Sequence, residues 1–175
     1  MMPEVSATIP VPWMLTIRKL AKERHELHKD HATSRPLSFD YEVVGLAGEY
    51  VFAAKYALMA DWTTRPSGDS GVDFQFGDMT IDVKTARKPG NLIVEKGTSP
   101  ANILVLAGWH QNECRVDLLG WETAEAILVA PTKDFGYGII NHYIQARDLR
   151  KMSSLLNLIN DWRKPGTIVP LPSGA

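Results

Sequence analysis

The sequence predicts a layered α/β sandwich in which a mixed β-sheet lies between helices. Two long segments, 13–30 and 41–59, place apolar residues at helical spacing, and a third, 148–162, closes the chain. Between them, short runs of alternating apolar and polar residues indicate strands. Helices before, within and after a mixed sheet are typical of this layer architecture.

The length and composition favour one globular domain. A chain of 175 residues can bury an adequate core without disulfides, and its hydrophobic fraction of 45% and charged fraction of 22% are ordinary. We expect a single domain over 1–175, with an amphipathic helix at 13–30, a core at 41–162 and a Pro-rich tail at 163–175.

Charge and cysteine content limit the function classes. The formal net charge of -1 argues against coating of nucleic acid by bulk positive charge, so that binding would need a local basic patch. The one cysteine, Cys114, excludes an intramolecular disulfide and a cysteine-based zinc cage. There is no apolar run of about 20 residues and no signal segment, so we expect a cytoplasmic protein that does not enter a membrane.

The first helix is amphipathic and basic. Its lysines and arginines are typical of a solvated helix face, and a phosphate-contacting surface is the open alternative. His25 and Glu26 begin like a metalloprotease helix, but Lys29 stands where the second histidine belongs. A loop at 31–38 follows, and Asp40 is a candidate cap of the next helix.

The second helix, 41–59, is apolar nearly all round, which predicts an interior position. Gly45 and Gly48 each cost about 1 kcal/mol in a helix relative to alanine. We expect the sheet to approach this helix closely at both glycines, because close approach would offset that cost. Glu49 stands out as an acidic residue on this buried helix, where a lone carboxylate is unfavourable unless it is paired or metal-bound.

A β-hairpin follows a loop at 65–71. Gly77-Asp78 separates two strand-like runs, 72–76 and 79–85, and a glycine-first pair is typical of a two-residue turn. Further strands are predicted at 92–95, 102–107, 114–119 and 139–144, with a short helix beginning at Trp121. A loop near 87–90 connects the hairpin to the first of these strands.

The predicted hairpin register places two carboxylates face to face. Asp73 falls opposite Asp82, and Lys84 shares their face, whereas Phe74 and Ile81 point to the other side. Opposed like charges destabilise a hairpin unless a cation or a proton compensates. Mg²⁺ prefers hard oxygen ligands and commonly takes one or two carboxylates, so the spacing indicates a magnesium site.

Three parts of the sequence combine in one pattern: Glu49, then Ser70-Gly71-Val72-Asp73-Phe74, then Ile81-Asp82-Val83-Lys84-Thr85. This pattern, within about residues 43–119, resembles the PD-(D/E)XK nuclease superfamily, although Val72 occupies the proline position of the family name. The resemblance implies a restriction-endonuclease-like sandwich with a central mixed β-sheet flanked by helices. It also implies metal-dependent hydrolysis of phosphodiester bonds, usually in DNA.

By matched position, the resemblance implies that Asp73 and Asp82 bind the metal, that Glu49 assists from the helix and that Lys84 is catalytic. We expect Mg²⁺ as the cofactor, with Mn²⁺ able to substitute. The residues that follow Lys84 would lie beside the metal and contact the DNA backbone, namely Thr85, Arg87 and Lys88.

Two other functions stay open at this point. One is a catalytically inactive nuclease-fold module that binds DNA or a protein partner, in which the carboxylates are structural. The other is an interaction protein that uses the first helix and its tryptophans. For the enzyme, a homodimer would let two small sites address both strands of a duplex.

Overall fold

The computed structural model describes residues 3–28, 39–58, 71–136 and 138–163. The helices in these residues are α1 Val11–His28, α2 Phe39–Tyr56, α3 Ala124–Leu128 and α4 Met152–Trp162. The strands are β1 Val5–Thr8, β2 Phe74–Phe76, β3 Met79–Ala86, β4 Asn91–Glu95, β5 Ile103–His110, β6 Arg115–Thr123, β7 Thr132–Asp134 and β8 Ile140–Gln145.

The strands form two sheets. The larger sheet has five strands in the order β1-β6-β5-β3-β2, and the smaller has the order β4-β8-β7. In the larger sheet β3 and β5 are parallel, whereas its other neighbours are antiparallel. A mixed sheet flanked by helices confirms the α/β class predicted from the sequence.

The apolar core lies on both faces of the larger sheet. On one face, Ile81, Val83 and Val105 belong to a cluster that also includes buried residues of α1, α2 and α4. On the other face, Leu104 and Leu106 pack with residues of β4 and α3. Because side chains alternate along a strand, β3 sends its odd-numbered residues to the helices and its even-numbered residues to the second layer.

The contact between α2 and β3 depends on Gly48. A Cβ atom built at Gly48 would lie 1.8 Å from Oγ1 of Thr85, so only glycine allows the helix to lie this close. The predicted close approach is therefore confirmed at Gly48. It is wrong at Gly45, where a Cβ would meet nothing within 4 Å.

Several predicted boundaries differ from the structure. The strand predicted to stop at 119 continues to Thr123, and the helix predicted from Trp121 begins at Ala124 instead. Trp121 stays in the strand because its buried indole N–H donates to the carbonyl of Lys151 at 3.0 Å. The threonine then caps α3, since its hydroxyl accepts the N–H of Ala126 at 3.2 Å.

The two ends of the described chain also differ from the sequence prediction. The strand β1 pairs with β6 although no strand was predicted there, and α1 begins at Val11 rather than at residue 13. The closing helix begins at Met152 rather than at 148. Four predicted features lie outside the described residues: the end of the first helix at 29–30, the loop at 31–38, the loop at 65–71 apart from Gly71, and the tail at 163–175 apart from Arg163.

None of the helices in the described residues is long and apolar enough to cross a membrane.

Candidate active site

The hairpin of β2 and β3 has the register that the sequence predicts. Phe74 pairs with Ile81, and the pairing continues to the two-residue turn. Gly77 in that turn has a φ of 58°, a left-handed conformation that glycine adopts at little cost. Ile81 is fully buried against the helices, so the alternation of side chains turns Asp82 to the opposite face of the sheet.

Asp73 lies one residue before β2 and extends the hairpin with its side chain. Its N–H donates to the carbonyl of Ile81 at 2.9 Å, and its Oδ2 accepts the N–H of Val83 at 2.7 Å. The sequence predicts Asp73 directly opposite Asp82, whereas the strand pairing ends at Phe74 and Ile81. The carboxylate is thus positioned at the edge of β3 by a backbone hydrogen bond.

Lys84 forms a close ion pair with Asp82. Its Nζ lies 2.5 Å from Oδ2 of Asp82, and the two side chains are 46% and 9% exposed. Burial lowers the pKa of the Lys84 ammonium, but Asp82, Asp73 and Tyr41 raise it, so that the pKa lies above its ordinary value. The ammonium therefore stays protonated near neutral pH and acts as a hydrogen-bond donor in this arrangement.

The first turn of α2 lies at the carboxyl end of β3. Oδ2 of Asp40 is 3.7 Å from Nη2 of Arg87, and Tyr41 is 55% exposed while it influences Lys84 electrostatically. Sequence patterns predict only a capping role for Asp40 and no role for Tyr41 in the site. Their position depends on where α2 crosses β3, and local sequence patterns carry no signal for that crossing.

Glu49 is buried on α2, as predicted, and one of its partners is a cation of the first helix. Its Oε1 lies 3.5 Å from Nη1 of Arg24, and both side chains are 11% exposed. This ion pair contributes to the contact between α1 and α2. The part of Glu49 in metal binding stays a prediction.

The three residues predicted to contact DNA occupy different surroundings. Thr85 has a buried hydroxyl that faces Gly48 and has no hydrogen-bond partner, so it points away from any phosphate in solvent. Arg87 and Lys88 are exposed beyond the end of β3. These two cations therefore have the access that a backbone contact requires.

The donors around Lys84 suit a hard divalent cation. Asp73 and Asp82 supply carboxylate oxygens, and Mg²⁺ commonly binds one or two carboxylates with waters and phosphate oxygens in its other positions. Within the described parts of the chain, no three His, Cys, Asp or Glu side chains gather in a group able to hold a metal. Asp73 and Asp82 could supply two of the oxygen ligands of such a site, and the contribution of Glu49 stays a prediction.

Comparison with family models, with curated proteins and with solved structures finds no match for this chain. The fold and the site together define a mixed α/β protein with two aspartates and a lysine on one β-hairpin. Its function is therefore argued from the chemistry of these side chains.

Proposed function

We propose that this protein is a metal-dependent nuclease that hydrolyses phosphodiester bonds of DNA, with Mg²⁺ as its cofactor and Mn²⁺ able to replace it. The observation that carries the proposal is the ion pair of Asp82 and Lys84 at 2.5 Å on the polar side of β3. Asp73 acts electrostatically on the same lysine and is held on β3 by its bond to Val83. The resemblance of the hairpin to the PD-(D/E)XK pattern supports the same chemistry.

The reaction adds water across one ester bond. The water oxygen bonds to phosphorus and a P–O ester bond breaks, which yields a phosphomonoester and an alcohol whose oxygen takes up a proton. When bound, Mg²⁺ would lower the pKa of the water molecule that it binds and would neutralise negative charge on the phosphate. Asp73 and Asp82 would hold the cation, and the Lys84 ammonium would orient the water or stabilise the charge that develops on the phosphate.

The exposed cations after β3 would position the substrate. Arg87 and Lys88 lie beyond the strand that carries Asp82 and Lys84, so a backbone phosphate on either side of the cleaved bond could reach them. Such contacts fix the register of the nucleic acid without reading its sequence.

The test is a cleavage assay with linear, circular and branched DNA in Mg²⁺ or Mn²⁺. We expect Asp82→Asn and Lys84→Met each to reduce the rate by at least about 100-fold, because each removes a group that stabilises transition-state charge. EDTA should abolish cleavage. Asp78→Asn in the hairpin turn and Lys96→Ala after β4 are matched controls, since both residues are exposed and outside the site.

The variants should be compared with wild type by circular dichroism before activity is measured. Cleavage that persists in Asp82→Asn, in Lys84→Met or in EDTA would contradict the proposal. An equal loss of cleavage rate in the Asp78→Asn and Lys96→Ala controls would also contradict it, because any change in surface charge would then have the same effect as a change in the site.

A second candidate is a nuclease-fold module that binds DNA or a protein partner without cutting. The structural partners of the carboxylates favour it: Asp73 accepts the N–H of Val83, and Glu49 pairs with Arg24. For this candidate we expect no heat of Mg²⁺ binding by calorimetry and no cleavage, with DNA binding retained in EDTA. Metal binding that Asp82→Asn abolishes would exclude it.

A further inference from the structure

A second polar cluster lies on the same face of the larger sheet as Asp82 and Lys84. In the parallel pairing of β3 with β5, Lys84 lies beside Leu106. His110 is the last residue of β5, and it shares the face of Leu106 because side chains alternate along a strand. Four residues of a strand span roughly 13 Å, so His110 is a separate site at the same end of the sheet.

A buried carboxylate holds the imidazole of His110. Nε2 lies 2.7 Å from Oδ2 of Asp117 on β6, and Oδ1 of this carboxylate accepts the hydroxyl of Ser6 on β1 at 2.6 Å. The Asp117 side chain is 9% exposed, whereas the imidazole is 41% exposed. Because an ionised carboxylate only accepts hydrogen bonds, Nε2 carries a proton. Among the residues that the structure describes, none hydrogen-bonds to Nδ1, so this nitrogen is the one left for a ligand.

The loop after β3 brings a cation to this cluster. A Cβ atom built at Gly108 would lie 2.9 Å from Cγ of Pro89, so the loop crosses β5 one side-chain position before His110. Lys88 directly precedes this proline and is exposed. The two cluster positions, one on the loop and one on β5, are therefore neighbours on the surface.

The charges around the imidazole favour a second ring proton. Nε of Arg115 lies 3.2 Å from Oδ1 of Asp117, and the same guanidinium pairs with Glu113 in the turn after β5. Two carboxylates thus share one arginine, and a proton on Nδ1 of His110 balances the remaining negative charge. The resulting imidazolium has an N–H donor at Nδ1.

We infer that His110 binds a phosphate of the nucleic-acid backbone, with Lys88 beside it, at a distance from the cleaved bond. This inference rests on the proposed nuclease function and deepens it, because it extends the backbone contact from the loop across the end of β5. On a duplex strand with one phosphate per about 3.4 Å of axis, the contact falls about four nucleotides from the phosphate at Lys84.

The contact couples DNA binding to a proton. Nδ1 donates to a phosphate oxygen only in the imidazolium, so the neutral ring takes up one proton from solvent when the phosphate binds. Histidine changes its charge between about pH 5 and pH 8, and we therefore expect tighter DNA binding at the acid end of this range.

The experiment compares the DNA affinity of wild type and His110→Gln at about pH 6 and about pH 8. Fluorescence anisotropy in EDTA, with oligonucleotides that carry a pH-insensitive dye, measures binding without cleavage. We expect wild type to bind about 5-fold more tightly than His110→Gln at the lower pH, the usual contribution of one hydrogen bond, and equally at the higher pH. At the lower pH, His110→Gln should also lower the slope of log affinity against log salt by about 1.

Two further variants separate a phosphate contact from a structural role. His110→Lys carries its charge at both pH values, so at the higher pH it should bind DNA more tightly than wild type does. His25→Gln removes a histidine of α1 and should behave like wild type at both pH values. Circular dichroism should first show that all variants are folded.

Wild-type affinity of His110→Gln at the lower pH would overturn the inference, as would a His110→Lys variant that binds no more tightly than His110→Gln at the higher pH. In either case, cleavage by wild type in Mg²⁺ would leave the nuclease proposal standing. A wild-type protein that neither binds nor cuts DNA would overturn both.

Discussion

The replacement of Gly48 by alanine gives a sharp test of how α2 packs on β3. The added Cβ would lie 1.8 Å from Oγ1, 3.0 Å from Cβ and 3.3 Å from Cγ2 of Thr85. Rotation of the threonine side chain can move Oγ1, but it leaves the short contact with the Cβ atom. The helix or the strand must therefore shift.

The magnitude follows from two opposing terms. Overpacking a close contact costs about 1–3 kcal/mol, occasionally more, and removal of a helical glycine returns about 1 kcal/mol. For a contact this short we expect a net loss of about 2 kcal/mol for Gly48→Ala. Gly45→Ala on the same helix has nothing within 4 Å and should gain up to about 1 kcal/mol.

Urea denaturation followed by tryptophan fluorescence measures the free energy of unfolding of each variant. The double variant Gly48→Ala/Thr85→Ala should recover much of the loss, because it removes Oγ1 and Cγ2 and leaves one tight contact. Equal stabilisation by Gly45→Ala and Gly48→Ala would refute the reasoning, as would a double variant no more stable than Gly48→Ala.

Three further predictions concern ionisation, the helix pair and the basic end of β3. Burial raises the pKa of Tyr56 to about 12 from its ordinary 10.0, so the native state holds the phenol proton more tightly than the unfolded chain. This stabilisation, about 3 kcal/mol, is complete below pH 10 and is lost as the pH rises from 10 to 12. Urea titrations should show this fall in the free energy of unfolding for wild type and not for Tyr56→Phe. Arg24→Met should cost about 3 kcal/mol in thermal or urea unfolding, because Glu49 stays buried without this partner, and a stability equal to wild type would refute the ion pair. Arg87→Ala and Lys88→Ala should each weaken DNA binding and lower the slope of log affinity against log salt by about 1, and an unchanged slope would exclude a phosphate contact.

Local sequence patterns were sufficient for the hairpin because a two-residue turn fixes the pairing of both strands. Gly77 therefore determines that Phe74 meets Ile81, and the alternation of side chains then places Asp82 and Lys84 on one face. Asp73 departs from that pattern because its N–H donates to the carbonyl of Ile81 and its carboxylate accepts the N–H of Val83, so that its side chain as well as its backbone bonds to β3. A binary pattern of apolar and polar residues carries no information on such a bond.

Partners distant in the chain could not be predicted in the same way. The strands β4 and β8 were predicted as strands, but only the folded chain shows that they pair with each other in a second sheet. The sequence predicts that a buried Glu49 needs a partner, but its ion pair with Arg24 depends on how α1 packs against α2. Pairing of this kind is set by tertiary packing, which periodicity does not encode.

The two faces of β3 have different roles: one packs against a helix and the other carries the candidate active site. Thr85 lies on the face that receives α2 at Gly48, and Asp82 and Lys84 lie on the other face, as side chains of the strand itself. At the end of β3, Arg87 lies 3.7 Å from Asp40 of α2, so this ion pair depends on how α2 lies against β3 at Gly48. A substitution that lifts α2 from β3 should therefore weaken the ion pair of Asp40 and Arg87, which joins the two elements, more than it disturbs the ion pair of Asp82 and Lys84, which lies within β3.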